Sequence, residues 1–95
     1  MKLAFDPAKD AANRTKHGVS LGAAARLDWD LVLAKPDSRG DYGERRRIGY
    51  GPIGRRLYCV VFVDRGGTRR IISLRKANNR EINRYEAQIG STDEG

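Results

Sequence analysis

The chain has 95 residues, a length that fits one small domain with a modest hydrophobic core. Its formal net charge is +7, of which residues 1–43 carry +1 and residues 44–95 carry +6. A surplus of positive charge confined to the second half of the chain predicts that this half binds nucleic acid, with an acidic protein as the alternative partner. The longest apolar run, residues 57–63, is far shorter than the ~20 residues of a membrane span. No apolar segment follows Lys2 to act as a signal peptide, so we expect a cytoplasmic protein without a membrane segment.

The chain offers few residues for metal or nucleophilic chemistry. Cys59 is the only cysteine and lies in the apolar run, so we expect a buried, inert thiol and no disulfide. His17 is the only histidine and has no second ligand at metal-site spacing, so we interpret it as a residue that favours a helix C-terminus. No glycine-rich phosphate loop or nucleophile elbow is present. The sequence therefore predicts neither a metal nor a cofactor.

The first half of the chain predicts a strand, two helices and a second strand. Asp6 is a favourable N-cap, Pro7 is favourable in the first helical turn, and Gly18 is suited to end that helix. Ser20 is the next N-cap, and the apolar residues that follow predict a second helix with Leu21, Ala24, Ala25 and Leu27 on one face. The predicted elements cover residues 2–5, 6–18, 20–27 and 31–34.

The second half predicts three more strands and a final helix. Strands are predicted at residues 44–50, 56–63 and 68–74, with turns at 51–54 and 64–67, and the second of these strands should be central because it is apolar on both faces. Asn78 and Glu81 form a capping box that begins the helix, Gly90 should end it, and the polar tail 91–95 should fray. The order β-α-α-β-β-β-β-α predicts an α+β fold with an antiparallel sheet covered by helices on one face.

The segment between the last strand and the last helix concentrates positive charge. Alternation places Ile71, Ser73 and Arg75 on one strand face, with residues 70, 72, 74 and 76 on the other. Arg75 and Lys76 end the strand beside the positive end of the helix dipole, and two further arginines lie one helical turn apart at residues 80 and 84. This pattern predicts a phosphate or polyanion site. A solvated helix face with local ion pairs remains an equal alternative.

Three segments resemble motifs of one known family. Residues 13–20 (NRTKHGVS) resemble the N-x-x-K-H-G-V-[ST] motif of BrnT toxins, and residues 42–46 (YGERR) resemble their G-E-x-R motif. Residues 70–77 (RIISLRKA) resemble R-I-I-S-A-R-K-A, followed by Glu81 and Tyr85 at the family's E-x-x-x-Y spacing. The segments stand in family order and span most of the chain. Leu74 replaces the usual alanine, a change expected to affect packing only.

The resemblance implies a RelE-like fold and a toxin of a type II toxin–antitoxin pair. Such a toxin would be an endoribonuclease that inhibits translation by cleaving RNA. Its partner would be a BrnA antitoxin with a ribbon-helix-helix DNA-binding part, and the complex would bind operator DNA and repress its own operon. One domain would cover residues 1–95.

The implied reaction is metal-independent attack of an RNA 2′-hydroxyl on the adjacent phosphate, which requires cations and groups that move two protons. The expected catalytic residues are Arg46, Arg75, Lys76, Arg80 and Tyr85, and the expected RNA-binding residues are Arg69, Arg70 and Arg84. Tyr85 has an alternative role as a core aromatic residue. Glu81 and Glu44 are further carboxylate candidates, with helix capping the simpler role for Glu81. A non-catalytic nucleic-acid-binding module and a pure protein-interaction partner are the competing functions.

Overall fold

The computed structural model describes the backbone of residues 1–93 and the side chains of residues 1–90. Five strands, two α-helices and two 3₁₀ helices follow one another in nearly the predicted order. In chain order the elements are β1 Lys2–Ala4, α1 Pro7–His17, 3₁₀ helices at Leu21–Arg26 and Trp29–Leu31, β2 Leu33–Pro36, β3 Arg47–Ile53, β4 Arg56–Arg65, β5 Thr68–Lys76 and α2 Asn79–Asp93. The predicted α+β class is confirmed.

The five strands form one sheet in the order β1-β5-β4-β3-β2. Strands β2 to β5 are antiparallel neighbours, as their short connections predict. β1 instead pairs parallel with β5, with Leu3 opposite Arg69. The prediction of a wholly antiparallel sheet is therefore wrong for β1, because this strand reaches the sheet edge through long-range pairing and not through a hairpin.

The central strand β4 is buried on both faces, which confirms its predicted position. On one face Val60 and Phe62 pack with Leu21, Ala24 and other residues of the N-terminal helical region. On the other face Val61 packs in a second cluster with Ile48 and Cys59. The sheet thus separates two apolar layers.

A β-bulge changes the predicted face of several β5 residues. Val61 lies opposite Ser73, but the next residue, Phe62, lies opposite Ile71. Ile72 is therefore the extra residue in β5. As a result Ile71 and Leu74 pack in one apolar cluster, although strict alternation had placed them on opposite faces. The alternation prediction fails here because it assumes an uninterrupted pleat.

The predicted second helix is a 3₁₀ helix, with a second one just after it. In this geometry each turn takes three residues, so Leu21, Ala24 and Leu27 line up on one face and are all buried. Ala25 points away and is exposed, contrary to the α-helical stripe. Trp29 then fixes the following turn, because its indole N–H donates to the Ala24 carbonyl at 3.0 Å.

The α-helix starts are confirmed, whereas the predicted end of the last helix is wrong. Asp6 caps α1 by accepting from the Ala8 N–H at 2.8 Å. The Asn78–Glu81 capping box is present, with both reciprocal hydrogen bonds at 2.9 Å. Gly90 lies inside α2 without a positive φ, so the helix continues to Asp93. Part of the predicted fraying tail is therefore helical, and residues 94 and 95 lie outside the described residues. No helix within residues 1–93 is long and apolar enough to cross a membrane.

Strand β3 extends through the predicted turn. Its last residues up to Ile53 pair with β4, and the turn is confined to Gly54, with φ 59°, and the residue after it. Two glycines in β3 allow Val32 to approach closely: a Cβ built on Gly49 would lie 2.8 Å from Val32 Cγ1, and one on Gly51 would lie 2.5 Å from Val32 Cγ2. These glycines therefore seat the chain just before β2 against the sheet.

Candidate active-site cleft

The buried side chain of Asn13 fixes the end of α1 against β5. Its Nδ2 donates to the Leu74 carbonyl at 2.8 Å and to the Val19 carbonyl at 2.9 Å, and its Oδ1 accepts from the Leu74 N–H at 3.2 Å. β1 pairs with β5 only as far as Arg70. Further along β5, the Asn13 carboxamide therefore takes the place of a strand partner for Leu74. The last turn of α1 and the end of β5 are held in one arrangement.

This arrangement brings together two pairs of consecutive residues. Lys16 and His17 end α1, and Arg75 and Lys76 end β5. An open cleft of about 630 Å³, within the ordinary size range of ligand sites, is lined by seven residues: Lys16, His17, Gly18, Val19, Tyr58, Arg75 and Lys76. Three cations and the only imidazole of the chain thus converge on one surface.

The imidazole of His17 is not used to close α1. Gly18, with φ 72°, ends the helix by donating its N–H to the Arg14 carbonyl at 2.8 Å. Within residues 1–90, no group hydrogen-bonds the imidazole. Burial lowers the pKa of His17, and the charges of Lys16 and Arg75 lower it further. The ring is therefore neutral at neutral pH, with one nitrogen able to accept a proton.

A carboxylate holds Arg75 in place from the first turn of α2. Arg75 Nη1 lies 2.8 Å from Glu81 Oε1, and Nη2 lies 2.9 Å from Oε2. Glu81 also accepts from the Asn78 N–H at 2.9 Å and from the Tyr50 hydroxyl at 3.0 Å. The hydrogen bonds from Arg75 are the main cause that lowers the pKa of Glu81, to about 2. Glu81 is therefore ionised and fully engaged, which suits positioning better than proton transfer at neutral pH.

Two other titratable groups lie beneath this network. Burial raises the pKa of Tyr50 and that of Cys59, so both remain protonated at neutral pH. Cys59 is a buried free thiol, as predicted from its apolar setting. Among the side chains of residues 1–90, no three of His, Cys, Asp or Glu are grouped to hold a metal ion.

The backbone around Lys76 is held on both sides. Lys76 lies opposite Tyr58 in the sheet, and its carbonyl accepts from Arg75 Nη1 at 3.3 Å. The next residue, Ala77, donates its N–H to the Leu57 carbonyl at 3.0 Å. The Lys76 side chain itself is exposed and has no ion pair with the side chains of residues 1–90. The ammonium group is thus free to reach into the cleft from a fixed base.

Arg69, predicted to bind RNA, is occupied by contacts within the protein. Its guanidinium lies 4.4 Å from the centre of the Phe62 ring and 4.6 Å from that of Trp29. Both oxygens of Asp64 accept from it, at 2.7 and 2.9 Å. Only 16% of the side chain is exposed. This cation stabilises the sheet end, and a direct RNA contact would require it to leave these partners.

Arg46, predicted to be catalytic, lies in the loop before β3. Its Nε is 3.0 Å from Glu44 Oε1, and its guanidinium lies 4.2 Å from the centre of the Tyr42 ring. Arg65 from the end of β4 also binds Glu44, at 3.1 Å. This cluster ties the loop to the sheet. It does not line the cleft formed by α1 and β5.

The remaining predicted arginines are exposed. Arg80 and Arg84 lie one turn apart on α2, as their spacing predicts, and Arg70 lies on β5. No ion pair links any of the three to another side chain of residues 1–90. Arg84 lines a second cleft of about 550 Å³ beside β2, which Arg69 also lines. The predicted residues are therefore distributed between two clefts and the open surface.

Tyr85 occupies the position of a core aromatic residue. It is 9% exposed and packs with Leu57 and Ala77. Its hydroxyl donates to the Leu31 carbonyl at 2.7 Å, and burial raises its pKa. The ring also borders the second cleft. These contacts match the structural alternative, and the catalytic role of Tyr85 stays a prediction.

The comparison with protein families agrees with the motifs. A model of the family described as the ribonuclease toxin, BrnT, of type II toxin–antitoxin systems matches residues 5–81. The chain belongs to the BrnT family. The match includes both segments that meet at the cleft, residues 13–20 and all of β5. BrnT-family membership implies RNA as the substrate and an antitoxin as the partner. No curated protein matches the chain.

Lys16 and His17 were absent from the predicted site residues. Both lie in the first BrnT motif, and that motif is the signal in the sequence that points to them, but His17 was interpreted as a residue that favours a helix C-terminus. Their position beside β5 depends on the contact between Asn13 and Leu74, residues 61 positions apart.

Proposed function

We propose that this BrnT-family chain is a metal-independent endoribonuclease that cleaves RNA by attack of the 2′-hydroxyl on the adjacent phosphate. The observation that carries the proposal is the cleft in which Arg75 and Lys76 meet Lys16 and His17. Cleavage adds negative charge to the phosphorus centre, and positioned cations stabilise that charge. The products are a 2′,3′-cyclic phosphate and a 5′-hydroxyl. The domain that acts covers residues 1–95 and inhibits translation through RNA loss.

Arg75 and Lys76 have different roles in this proposal. Arg75 is preorganised by Glu81, and a guanidinium group matches the spacing of phosphate oxygens. Lys76 is the exposed ammonium that reaches the scissile phosphate. The exposed residues Arg70, Arg80 and Arg84 extend the RNA-binding surface beyond the cleft. Arg46, Arg69 and Tyr85 keep a part in the reaction only if RNA displaces their present partners.

The test measures RNA cleavage in EDTA by the parent chain, Lys76→Ala and a matched control, Lys9→Ala. Lys9 is also an exposed lysine, but it lies in the first turns of α1 and not in the cleft. All three proteins should melt at the same temperature. Because Lys76→Ala loses one positioned electrostatic group, it should cleave RNA about 10²–10³-fold more slowly than the parent, whereas Lys9→Ala should cleave at the parent rate. Equal rates in both variants would remove Lys76 from the chemistry.

A non-catalytic RNA-binding module is the second candidate, supported by the net charge of +6 in residues 44–95. Both functions predict that RNA affinity falls steeply with rising salt, because bound cations release counterions from the phosphates. Only the enzyme produces cyclic phosphate ends. Salt-dependent binding by a parent chain that leaves the RNA intact would establish the module and refute the enzyme.

We further propose that the neutralising partner is a BrnA-type antitoxin and that operator DNA is bound through that antitoxin, in the cytoplasm. Membership of a type II toxin family supports a protein partner. Co-expression with a BrnA-type antitoxin should yield a stable complex and restore growth. The complex should retard operator DNA, whereas the toxin alone should show no preference for that DNA over an unrelated duplex.

A further inference from the structure

His17 is a titratable group of the cleft to which the proposed function has not yet given a role. It ends α1, and its ring makes no hydrogen bond within residues 1–90. The other charged or titratable groups that line the cleft are Lys16 on α1, Tyr58 on β4, and Arg75 and Lys76 on β5. Three of these four are cations, so the pocket repels an imidazolium and attracts a phosphate. That combination suits a neutral base beside an anionic substrate.

We infer that His17 is the general base of the cleft, a catalytic residue that takes the proton from the 2′-hydroxyl of bound RNA. The inference rests on the proposed ribonuclease function and deepens it. A base with a pKa near the working pH is the most effective proton acceptor, and the histidine ring is the ordinary group for that range. Burial, together with the charges of Lys16 and Arg75, favours the neutral form of the ring until the reaction supplies the proton.

The step balances without a metal ion or a co-reactant. A neutral nitrogen of His17 takes the 2′-hydroxyl proton while the 2′-oxygen forms a bond to phosphorus. The bond from phosphorus to the 5′-oxygen breaks, and the Lys76 ammonium donates a proton to that leaving oxygen. The products are the cyclic phosphate and the 5′-hydroxyl. The imidazolium then loses its proton to solvent and Lys76 regains one, which restores the starting state.

Other bases near the cleft are less suitable. Glu81 is held by Arg75, Tyr50 and Asn78, so none of its oxygens is free to accept a proton without breaking this network. Cys59 is buried beneath the sheet face. His17 is therefore the group whose ordinary chemistry matches the task.

Asn13 acts on this reaction as a positioning residue. It holds the carbonyl of Val19, two residues after His17, and the backbone of Leu74, which directly precedes Arg75. One carboxamide therefore sets the distance between the base and the cations. Reaction rates fall sharply when reacting groups are misplaced by about 1 Å, so the hydrogen bonds of Asn13 contribute to the reaction by keeping these groups in position.

The first experiment compares the pH dependence of RNA cleavage by the parent chain and His17→Gln in EDTA. Gln keeps a polar side chain of similar length but cannot accept the proton. The parent rate should fall as the pH drops below the pKa of His17, which lies under the usual 6.5. His17→Gln should melt like the parent, cleave about 10²–10⁴-fold more slowly and lose the acidic limb of the profile. A variant that retains the acidic limb and the parent rate would overturn the inference while leaving the ribonuclease function standing.

The second experiment observes the imidazole directly by NMR. His17 is the only histidine, so its ring protons give one assignable set of signals. A 2′-deoxy oligonucleotide, which lacks the internal nucleophile, is added as the probe. Phosphate bound beside the ring should raise the pKa of His17, because an anion stabilises the imidazolium. Unchanged His17 signals would overturn its place at the RNA site. A parent chain without cleavage, whatever the NMR result, would refute the enzyme and the base together.

Discussion

Replacing Asn13 with alanine should destabilise the protein far more than an ordinary helix substitution. The side chain is 5% exposed and makes three hydrogen bonds to the backbone of two other segments. Its removal leaves the buried N–H and carbonyl of Leu74 without their partner, at about 1–3 kcal/mol for each unsatisfied group. The Val19 carbonyl is only partly buried, so water replaces that partner at lower cost. We therefore expect a loss of about 2–6 kcal/mol in the free energy of unfolding, from these group values.

Urea unfolding of the purified chain, followed by circular dichroism, measures this loss. The matched control is Thr15→Ala on the same helix, because Thr15 only bonds back to the Ala11 carbonyl at its exposed surface. The control should change stability by less than about 0.5 kcal/mol. In thermal melts the Asn13→Ala midpoint should drop by at least about 8 °C, since a loss of at least about 2 kcal/mol is expected and about 4–8 °C accompanies each kcal/mol in a domain of this size. Equal stability of the two variants would refute the role of Asn13 as the clamp between α1 and β5.

Three further predictions concern α2 and β3. Gly90→Ala should raise the free energy of unfolding by about 0.5–1 kcal/mol, since Gly90 lies in a helix with nothing within 4 Å of an added Cβ. A lower free energy of unfolding would instead indicate that Gly90 ends the helix in the left-handed conformation, as expected from the sequence. Gly51→Ala should lower stability by about 1–3 kcal/mol because its Cβ would lie 2.5 Å from Val32 Cγ2. Adding Val32→Ala should recover part of that loss, and a purely additive double-mutant cycle would contradict the contact. Glu81→Gln should destabilise the protein near neutral pH. The difference in free energy of unfolding between parent and variant should shrink as the pH falls from 4.5 toward about 2, because the pKa of Glu81 is lowered in the folded state. A constant difference in urea unfolding across this pH range would refute the stabilising contribution of the Arg75–Glu81 ion pair.

Local signals predicted much of the fold correctly. The caps at Asp6 and Asn78, the glycine that ends α1 and the apolar central strand all depend on residues within a few positions of one another. Such features can be predicted from the local sequence, because capping and turn geometry involve neighbouring backbone groups. The failures have a different origin. Glycine is the residue type that commonly ends a helix, yet α2 continues past Gly90. The strict alternation of β5 is broken at Ile72 by a bulge, whose position depends on the pairing of β5 with β4.

The features of the site likewise divide into those that the sequence predicts and those that depend on long-range contacts. The sequence by itself determined the charge imbalance, the BrnT motifs and the cation pair Arg75–Lys76 at the end of a strand. Only the tertiary structure decided which of the arginines are occupied, since Arg69 packs on Trp29, a residue far from it in the sequence. It also decided that His17 faces Arg75, because α1 and β5 meet through the carboxamide of Asn13. Charge and motif are properties of the chain, whereas the pKa of an imidazole and the availability of a guanidinium depend on which distant groups the folded chain places beside them.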